Sequence, residues 1–256
     1  MADPLREVEA ALREGDRCRA REARVVVRRL RAQLVLGRDR LDRDWIWLLR
    51  RELRWVEVTI GDVADAAAME TSWSAEPLEP ADHAARAELV AELTRERSRA
   101  ERRLVALFDS ARHQRMLGDL DRPYLRPAGL KRTLRKEWRR LESAAKPATA
   151  KAAADHELHR LGARVDRVRH GAELLKGAGG LASALGGVRE ALDHLEEASL
   201  AQGWLRHAAA TPNLDWGLLA GQLLERARSQ EPKRREDLLH AWKTADSKGL
   251  RKMLGA

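Results

Sequence analysis

The sequence has little cysteine, few aromatic residues other than tryptophan, and no long apolar run. Of its 256 residues, one is Cys, one is Phe and one is Tyr. The single cysteine, Cys18, excludes an intramolecular disulfide framework and a cysteine-rich metal site. No uncharged apolar stretch approaches the roughly 18 residues of a membrane span, and the first residues lack the apolar core of a signal peptide. We therefore predict a soluble, cytoplasmic protein with no membrane segment.

Lysine is also scarce, although the chain is basic. Lys and Arg together number 49 against 40 Asp and Glu, which gives a net charge of +9. Only nine of these cations are Lys, and the first is Lys131. The planar guanidinium of Arg can hold two phosphate oxygens at once. The composition therefore predicts attraction to a polyanion, such as nucleic acid, anionic lipid or a phosphate polymer.

Most of the chain has the composition and period of α-helices, since Ala, Leu, Arg and Glu dominate and β-branched clusters are rare. Segments with Gly, Pro or Asp separate eight predicted helices, and the eight tryptophans are assigned mainly to packing. The helices are placed at about 5–37, 41–70, 81–117, 128–144, 152–176, 180–209, 214–229 and 232–254. Short connections favour antiparallel bundles. The small-residue segment 143–154 divides the chain into two predicted four-helix bundles, residues 1–146 and 147–256.

Five arginines near the start of the chain follow the period of one helix face. They are Arg17, Arg21, Arg24, Arg28 and Arg31. Like charges at these spacings repel by about 0.2–0.5 kcal/mol per pair in an isolated helix. A polyanion along the row would remove that repulsion, so we predict that the row is the main polyanion site. The alternative is a helix whose arginines pair with acidic residues of its neighbours.

Two further groups of basic residues have helical spacing and are candidates for the same site. They are Arg112 with Arg115, and Arg132 with Arg135 and Arg139. Glu137 and Glu142 lie close to the second group in sequence, so an ordinary solvated surface is an equal alternative there.

The sequence offers little for metal binding or catalysis. His156 and His159 are three residues apart, but no carboxylate stands at a suitable spacing and no other His cluster exists. Contact with phosphate is the stronger hypothesis for His159. Asp62, Asp65 and Asp193 are better explained as helix caps or as ion-pair partners of the arginines than as catalytic groups. We predict no metal, no cofactor and no enzymatic activity.

The order of four segments resembles the CHAD family, the conserved-histidine α-helical domains. Residues 20–34, AREARVVVRRLRAQL, resemble the family's opening helix, roughly HxxRVxxRRLRxxL. Residues 158–175, LHRLGARVDRVRHGAELL, resemble the helix that opens its second half, roughly HxLRKxxKRLRYxLELL. Residues 104–117 and 186–205 are similar to its third and sixth helices. Together these segments extend over most of the chain.

The resemblance implies two four-helix bundles related by a pseudo-twofold axis around a basic channel. It also implies non-catalytic binding of inorganic polyphosphate and association with polyphosphate granules. Arg21 stands where the family has its first histidine, and His159 is the second, followed by Arg167 and Arg169. Three basic positions of that second row are replaced here by Gly162, Ala163 and Asp166.

We therefore predict an all-α protein that binds inorganic polyphosphate through a shared set of arginines and one histidine. The predicted ligands are Arg17, Arg21, Arg24, Arg28, Arg31, Arg112, Arg115, Arg135, Arg139, His159, Arg167 and Arg169. One alternative is a nucleic-acid-binding protein that uses the same rows, although no helix-turn-helix, zinc-finger or basic-zipper pattern is present. Two further hypotheses are a metal-dependent phosphohydrolase and a helical scaffold whose charge serves only solubility. The sequence predicts no oligomeric state.

Overall fold

In the computed structural model, the protein is built from α-helices. The structure describes residues 2–16, 19–38, 41–121, 129–150, 153–210 and 214–254, except for the side chains of residues 214 and 215. Within these ranges there are ten α-helices, one short 3-10 helix and no strand. The predicted all-α class is confirmed.

Each helix is named here in chain order with its bounds. They are α1 (Asp3–Arg13), α2 (Arg19–Leu36), α3 (Arg43–Ser74), the 3-10 helix (Pro80–Asp82), α4 (His83–Asp109), α5 (Ala111–Leu120), α6 (Leu130–Ala148), α7 (Asp155–Glu173), α8 (Gly179–Ala209), α9 (Leu214–Ala245) and α10 (Lys248–Leu254).

Two predicted helices are each broken into two. The prediction of one helix over residues 5–37 is wrong because α1 ends at Arg13 and Gly15 takes the left-handed φ of 87°, which favours glycine. The prediction over 81–117 is wrong because Ser110 has extended backbone. Its hydroxyl accepts a hydrogen bond from the His113 amide at 3.1 Å and so caps α5.

The predicted break before Pro232 is also wrong, since α9 continues through it to Ala245. A proline inside a helix removes one backbone hydrogen bond and costs about 3 kcal/mol. Arg235, three residues after Pro232, makes contacts beside this position. Its guanidinium donates to Glu231 at 2.8 Å and to the Ala153 carbonyl at 3.2 Å. Pro147 likewise lies inside the last turn of α6, so the first part of segment 143–154 is helical.

The chain forms two compact units, each assembled from separate stretches. Unit 1 consists of Met1–Val27, Arg51–Arg122 and Glu197–Gln230, and unit 2 consists of Arg28–Arg50, Pro123–Glu196 and Glu231–Ala256. The helices α2, α3, α8 and α9 therefore each contribute residues to both units. The division of the chain near residue 146 stays a prediction.

Each unit has its own apolar core with a pair of tryptophans. In unit 1, Trp73 packs against Trp204 with ring centroids 5.0 Å apart, beside Leu89 and other buried leucines. In unit 2, Trp138 is 1% exposed and stacks on Trp242 at 6.0 Å. These four tryptophans pack as predicted, whereas Trp47 is 60% exposed.

One helix contact in unit 2 depends on the absence of a side chain. A Cβ added at Gly171 of α7 would overlap the side chain of Leu134 and would lie 3.0 Å from that of Leu36. Both leucines are fully buried in the unit 2 core. Gly171 therefore allows α7 to pack closely against these side chains.

We expect Gly171→Ala to lower the free energy of unfolding by about 1–3 kcal/mol, because an added methyl group would overpack the core. Gly203→Ala in α8 is the matched control, since a Cβ there meets no atom within 4 Å. It should stabilise the protein by about 0.5–1 kcal/mol through helix propensity. Urea denaturation of both variants measures the difference, and equal effects would contradict the packing argument.

Candidate polyanion-binding site

The arginines of α2 that belong to unit 1 are paired with acidic residues of other helices. Arg21 is 68% exposed, and its Nη2 donates to Glu197 of α8 at 2.6 Å. Arg24 is half-buried and donates from Nη1 to Asp65 of α3 at 2.8 Å. The Arg24 guanidinium also packs over Gly61. Arg17, the first residue of the predicted row, lies outside the described residues.

Farther along α2, Arg28 belongs to a buried ionic cluster in unit 2. Its Nη1 donates to Asp193 at 2.9 Å, and its Nη2 lies 3.6 Å from Glu196. Arg189 of α8 binds the same two carboxylates at 2.7 Å. Burial alone would raise the pKa of Asp193, but the charges and hydrogen bonds of Arg189 and Arg28 lower it below its ordinary value. Arg28 is thus held in place by two carboxylates.

Arg189 explains why Gly162 and Asp166 stand at two positions where the family pattern has basic residues. A Cβ on Gly162 of α7 would overlap the Arg189 guanidinium, so glycine leaves the space that this side chain fills. Asp166, one turn farther along α7, is buried. Burial alone would lower the pKa of Arg189, but Glu196, Asp166 and Asp193 raise it instead. Gly162 and Asp166 therefore accommodate and neutralise a buried arginine.

A second mixed cluster in unit 2 is centred on Glu173 at the end of α7. The Glu173 carboxylate lies 3.0 Å from Arg29, 3.7 Å from Arg169 and 3.2 Å from Nδ1 of His170. His170 is 1% exposed, and burial lowers the pKa of its imidazole despite the neighbouring carboxylates. Arg31, also on α2, is half-buried.

The two predicted arginines of α5 differ in their surroundings. Arg112 donates to Glu52 of α3 at 2.5 Å, and its guanidinium lies 4.1 Å from the ring centroid of Trp55. The hydrogen bond and charge of Arg112 lower the pKa of Glu52. Arg115 is exposed and has no ion-pair partner within the described part of the chain. Arg115 is therefore the more accessible of the two.

One face of α6 carries several exposed cations. Arg132, Lys136 and Arg139 are exposed, and none of them contacts a carboxylate in the ranges that the structure describes. Arg135 lies on the same face and donates from Nε to the Leu254 carbonyl at 2.6 Å. We call these four residues the α6 cationic face. The sequence prediction omitted Lys136, although it stands four residues after Arg132 and could have been found from the spacing.

On α7, the predicted residues His159 and Arg167 lie in different environments. His159 is exposed, with Nδ1 3.1 Å from the Asp155 carbonyl oxygen. Arg167 is half-buried, and its Nη1 lies 3.7 Å from the carboxylate of Glu137. No group of three or more His, Cys, Asp or Glu side chains among the described residues is arranged to hold a metal ion. Within the same residues, no helix combines the length and the apolar surface that crossing a membrane requires.

Comparison with known proteins identifies the family. The model of the CHAD domain matches residues 2–206. The chain belongs to the CHAD family. A solved structure titled PptA from Streptomyces chartreusis has a similar fold, with a TM-score of 0.73 and 22% sequence identity over 94% of this chain and 97% of that one. The CHAD domain from the plant Ricinus communis gives a TM-score of 0.64 at 20% identity, over 99% and 87%. No curated protein matches the chain.

The buried His170 should make the stability of this CHAD protein depend on pH. Because its folded-state pKa is lowered, the unfolded chain binds more protons at pH values between that pKa and about 6.5. The contribution of His170 to stability is therefore complete above about pH 6.5 and is lost as the pH falls below it.

We expect the free energy of unfolding to decrease below about pH 6.5, by at most about 1.4 kcal/mol per pH unit for this one proton. His170→Gln should flatten the dependence, whereas His156→Gln, at an exposed position of α7, should leave it unchanged. Urea denaturation between pH 5 and 8 gives the slopes. An unchanged slope in His170→Gln would show that other groups cause the dependence.

Proposed function

We propose that this CHAD protein binds inorganic polyphosphate and catalyses no reaction on it. Membership of the CHAD family suggests an association with polyphosphate. The observation that carries the proposal is the α6 cationic face, where exposed Arg and Lys side chains recur at helical spacing without carboxylate partners among the described residues. Like charges held together in this way repel one another, and a polyanion removes that repulsion.

The dimensions of the α6 cationic face suit a flexible chain of phosphates. Between Arg132 and Arg139 the helix rises by about 10 Å. A polymer lying along the helix can therefore contact several cations at once. Each charge-assisted contact contributes about 1.5–3 kcal/mol where it is partly desolvated, and released counterions make the binding depend on salt.

The predicted ligands differ in how accessible they are to a ligand. Arg21, Arg115 and His159 are exposed, so they can contact a polymer directly. The pair between Arg21 and Glu197 is open to solvent on the arginine side, and exposed pairs contribute only about 0–1 kcal/mol, so a phosphate can replace the carboxylate. Arg28 has the structural role described above. The channel between two symmetric bundles stays a prediction.

To test the proposal, the triple variant Arg132→Gln/Lys136→Gln/Arg139→Gln is titrated with long-chain polyphosphate at two salt concentrations. We expect at least a tenfold loss of affinity at low salt. We also expect the dependence of log K on log salt to become shallower, by up to about one unit for each phosphate that the variant no longer neutralises. Binding is measured by isothermal titration calorimetry, and circular dichroism checks that helicity is unchanged.

The matched control is Lys233→Gln/Lys243→Gln/Lys248→Gln, which removes the same charge from exposed lysines of α9 and α10. It should retain most of the affinity. Equal losses in both triple variants would mean that net charge, and not the α6 cationic face, determines binding. Duplex DNA at equal phosphate concentration should compete weakly, and equal competition would favour a nucleic-acid-binding protein. Phosphate release on addition of Mg²⁺ or Mn²⁺ would contradict the non-catalytic assignment.

A further inference from the structure

Unit 2 contains a group of arginines around one buried carboxylate, and the sequence prediction included only Arg167 of these arginines. Glu137 of α6 is 1% exposed. Its two oxygens are approached by Arg140 at 2.5 Å, Arg164 at 3.0 Å and Arg167 at 3.7 Å. Three guanidiniums thus share a single negative charge. We call these four residues, together with Arg50 of α3, whose charge acts on Arg167, the Glu137 cluster.

Arg50 of α3 adds a fourth guanidinium, which has no counter-charge among the residues that the structure describes. Its Nε is buried and has no hydrogen-bond partner, and the side chain forms no ion pair with any residue that the structure describes. Burial lowers its pKa with no opposing cause. The pKa of Arg167 is also lowered, first by burial and then by the charges of Arg164 and Arg50, which outweigh the attraction of Glu137. Arg50 therefore lies within electrostatic reach of the other arginines.

Positive charge exceeds negative charge by more in the Glu137 cluster than around Glu173, where two arginines approach one carboxylate, or around Arg28 and Arg189. Four arginines and one glutamate leave a charge of about +3, whereas Arg28 and Arg189 are balanced by Asp193 and Glu196. An uncompensated charge that is partly removed from water is costly, and proteins usually pair it or bind an ion there. The residues described supply no further carboxylate to Arg50, so a bound anion would lower the cost of holding its charge partly out of water.

The chemistry of the cluster specifies the class of ligand. Guanidiniums donate paired hydrogen bonds that match the oxygens of a phosphate group, and a phosphate can accept from several of them at once. Glu137 already binds three of the arginines and so orients their guanidiniums without neutralising them. A small group with two or more negative charges would complete the cluster.

We propose that the Glu137 cluster binds a phosphate group of high charge, with Arg50 as a direct ligand and Glu137 as a positioning residue. The proposal rests on the proposed function for the source of this group, which is the polyphosphate chain. It also predicts that the site binds short phosphates which are too small to extend along the α6 cationic face.

Arg50→Met tests the assignment, with Arg54→Met as matched control. Arg54 lies one turn farther along α3, is exposed, and has no ion-pair partner within the described residues. The probes are tripolyphosphate, inorganic phosphate and a single-stranded oligonucleotide, titrated by calorimetry and by thermal unfolding. We expect Arg50→Met to weaken tripolyphosphate binding at least tenfold and to abolish its stabilising effect. Arg54→Met should change the affinity less than twofold.

The thermal midpoint without ligand separates binding from a structural role. Arg50→Met removes a partly buried cation that has no counter-charge in the described part of the chain, so the ligand-free protein should be as stable as wild type or more stable. A lower midpoint together with unchanged affinity for tripolyphosphate would overturn the assignment. Binding of the oligonucleotide through Arg50, with none of tripolyphosphate, would overturn the choice of ligand.

The two proposals fail in different ways. Wild-type protein that binds tripolyphosphate through Arg50 but does not bind the long polymer contradicts the proposed function and supports the phosphate site. Wild-type protein that binds the long polymer with the same affinity as Arg50→Met, and does not bind tripolyphosphate, contradicts the site and leaves the proposed function intact.

Discussion

The packing of these arginine-rich helices depends on neutralising guanidiniums that are taken out of water. Arg28 and Arg189 are both less than a tenth exposed, and they share the carboxylates of Asp193 and Glu196. Removing one partner of such a buried pair typically costs about 3–5 kcal/mol, because an uncompensated charge remains. With Arg28 and Arg189 buried at this point, α2 and α8 pack together because the carboxylates neutralise both guanidiniums.

This constraint separates the cations that hold the fold from those that remain available to a ligand. An arginine that is buried and paired has its hydrogen bonds committed, as Arg28 does. An exposed cation without a carboxylate partner in the described ranges, such as Arg139, retains its full charge toward solvent. The net charge of +9 therefore matters less than its location. In unit 2, the α6 cationic face and the Glu137 cluster each carry more positive than negative charge among the described residues.

The sequence predicted the helical class well, because a helix has a local period and composition. It failed at Gly15 and Ser110, where a single residue ends or starts a helix inside a periodic pattern, and at Pro232, where tertiary contacts keep a helix intact. The helical spacing of the α2 arginines is visible in the sequence, but their acidic partners are harder to predict. Asp193 is 165 residues from Arg28, and only the fold brings the two together. Asp65 and Asp193 were expected to be helix caps or ion-pair partners of the arginines, and the structure shows the ion pairs.

A family position at which this chain lacks the basic residue does not by itself show that positive charge is missing there. Gly162 stands where the family has a basic residue, yet the guanidinium of Arg189 fills the space beside it. That charge is neutralised in turn, since Asp166 adds to the carboxylates that already surround Arg189. The Arg189 cation is therefore present, but its charge is balanced by carboxylates within the fold. Arg50 has no carboxylate to commit it among the residues described, and a count of motif matches would overlook it because it lies outside the family pattern. The charge left over after buried ion pairs are assigned and the conformity to the motif therefore point to different residues of this chain.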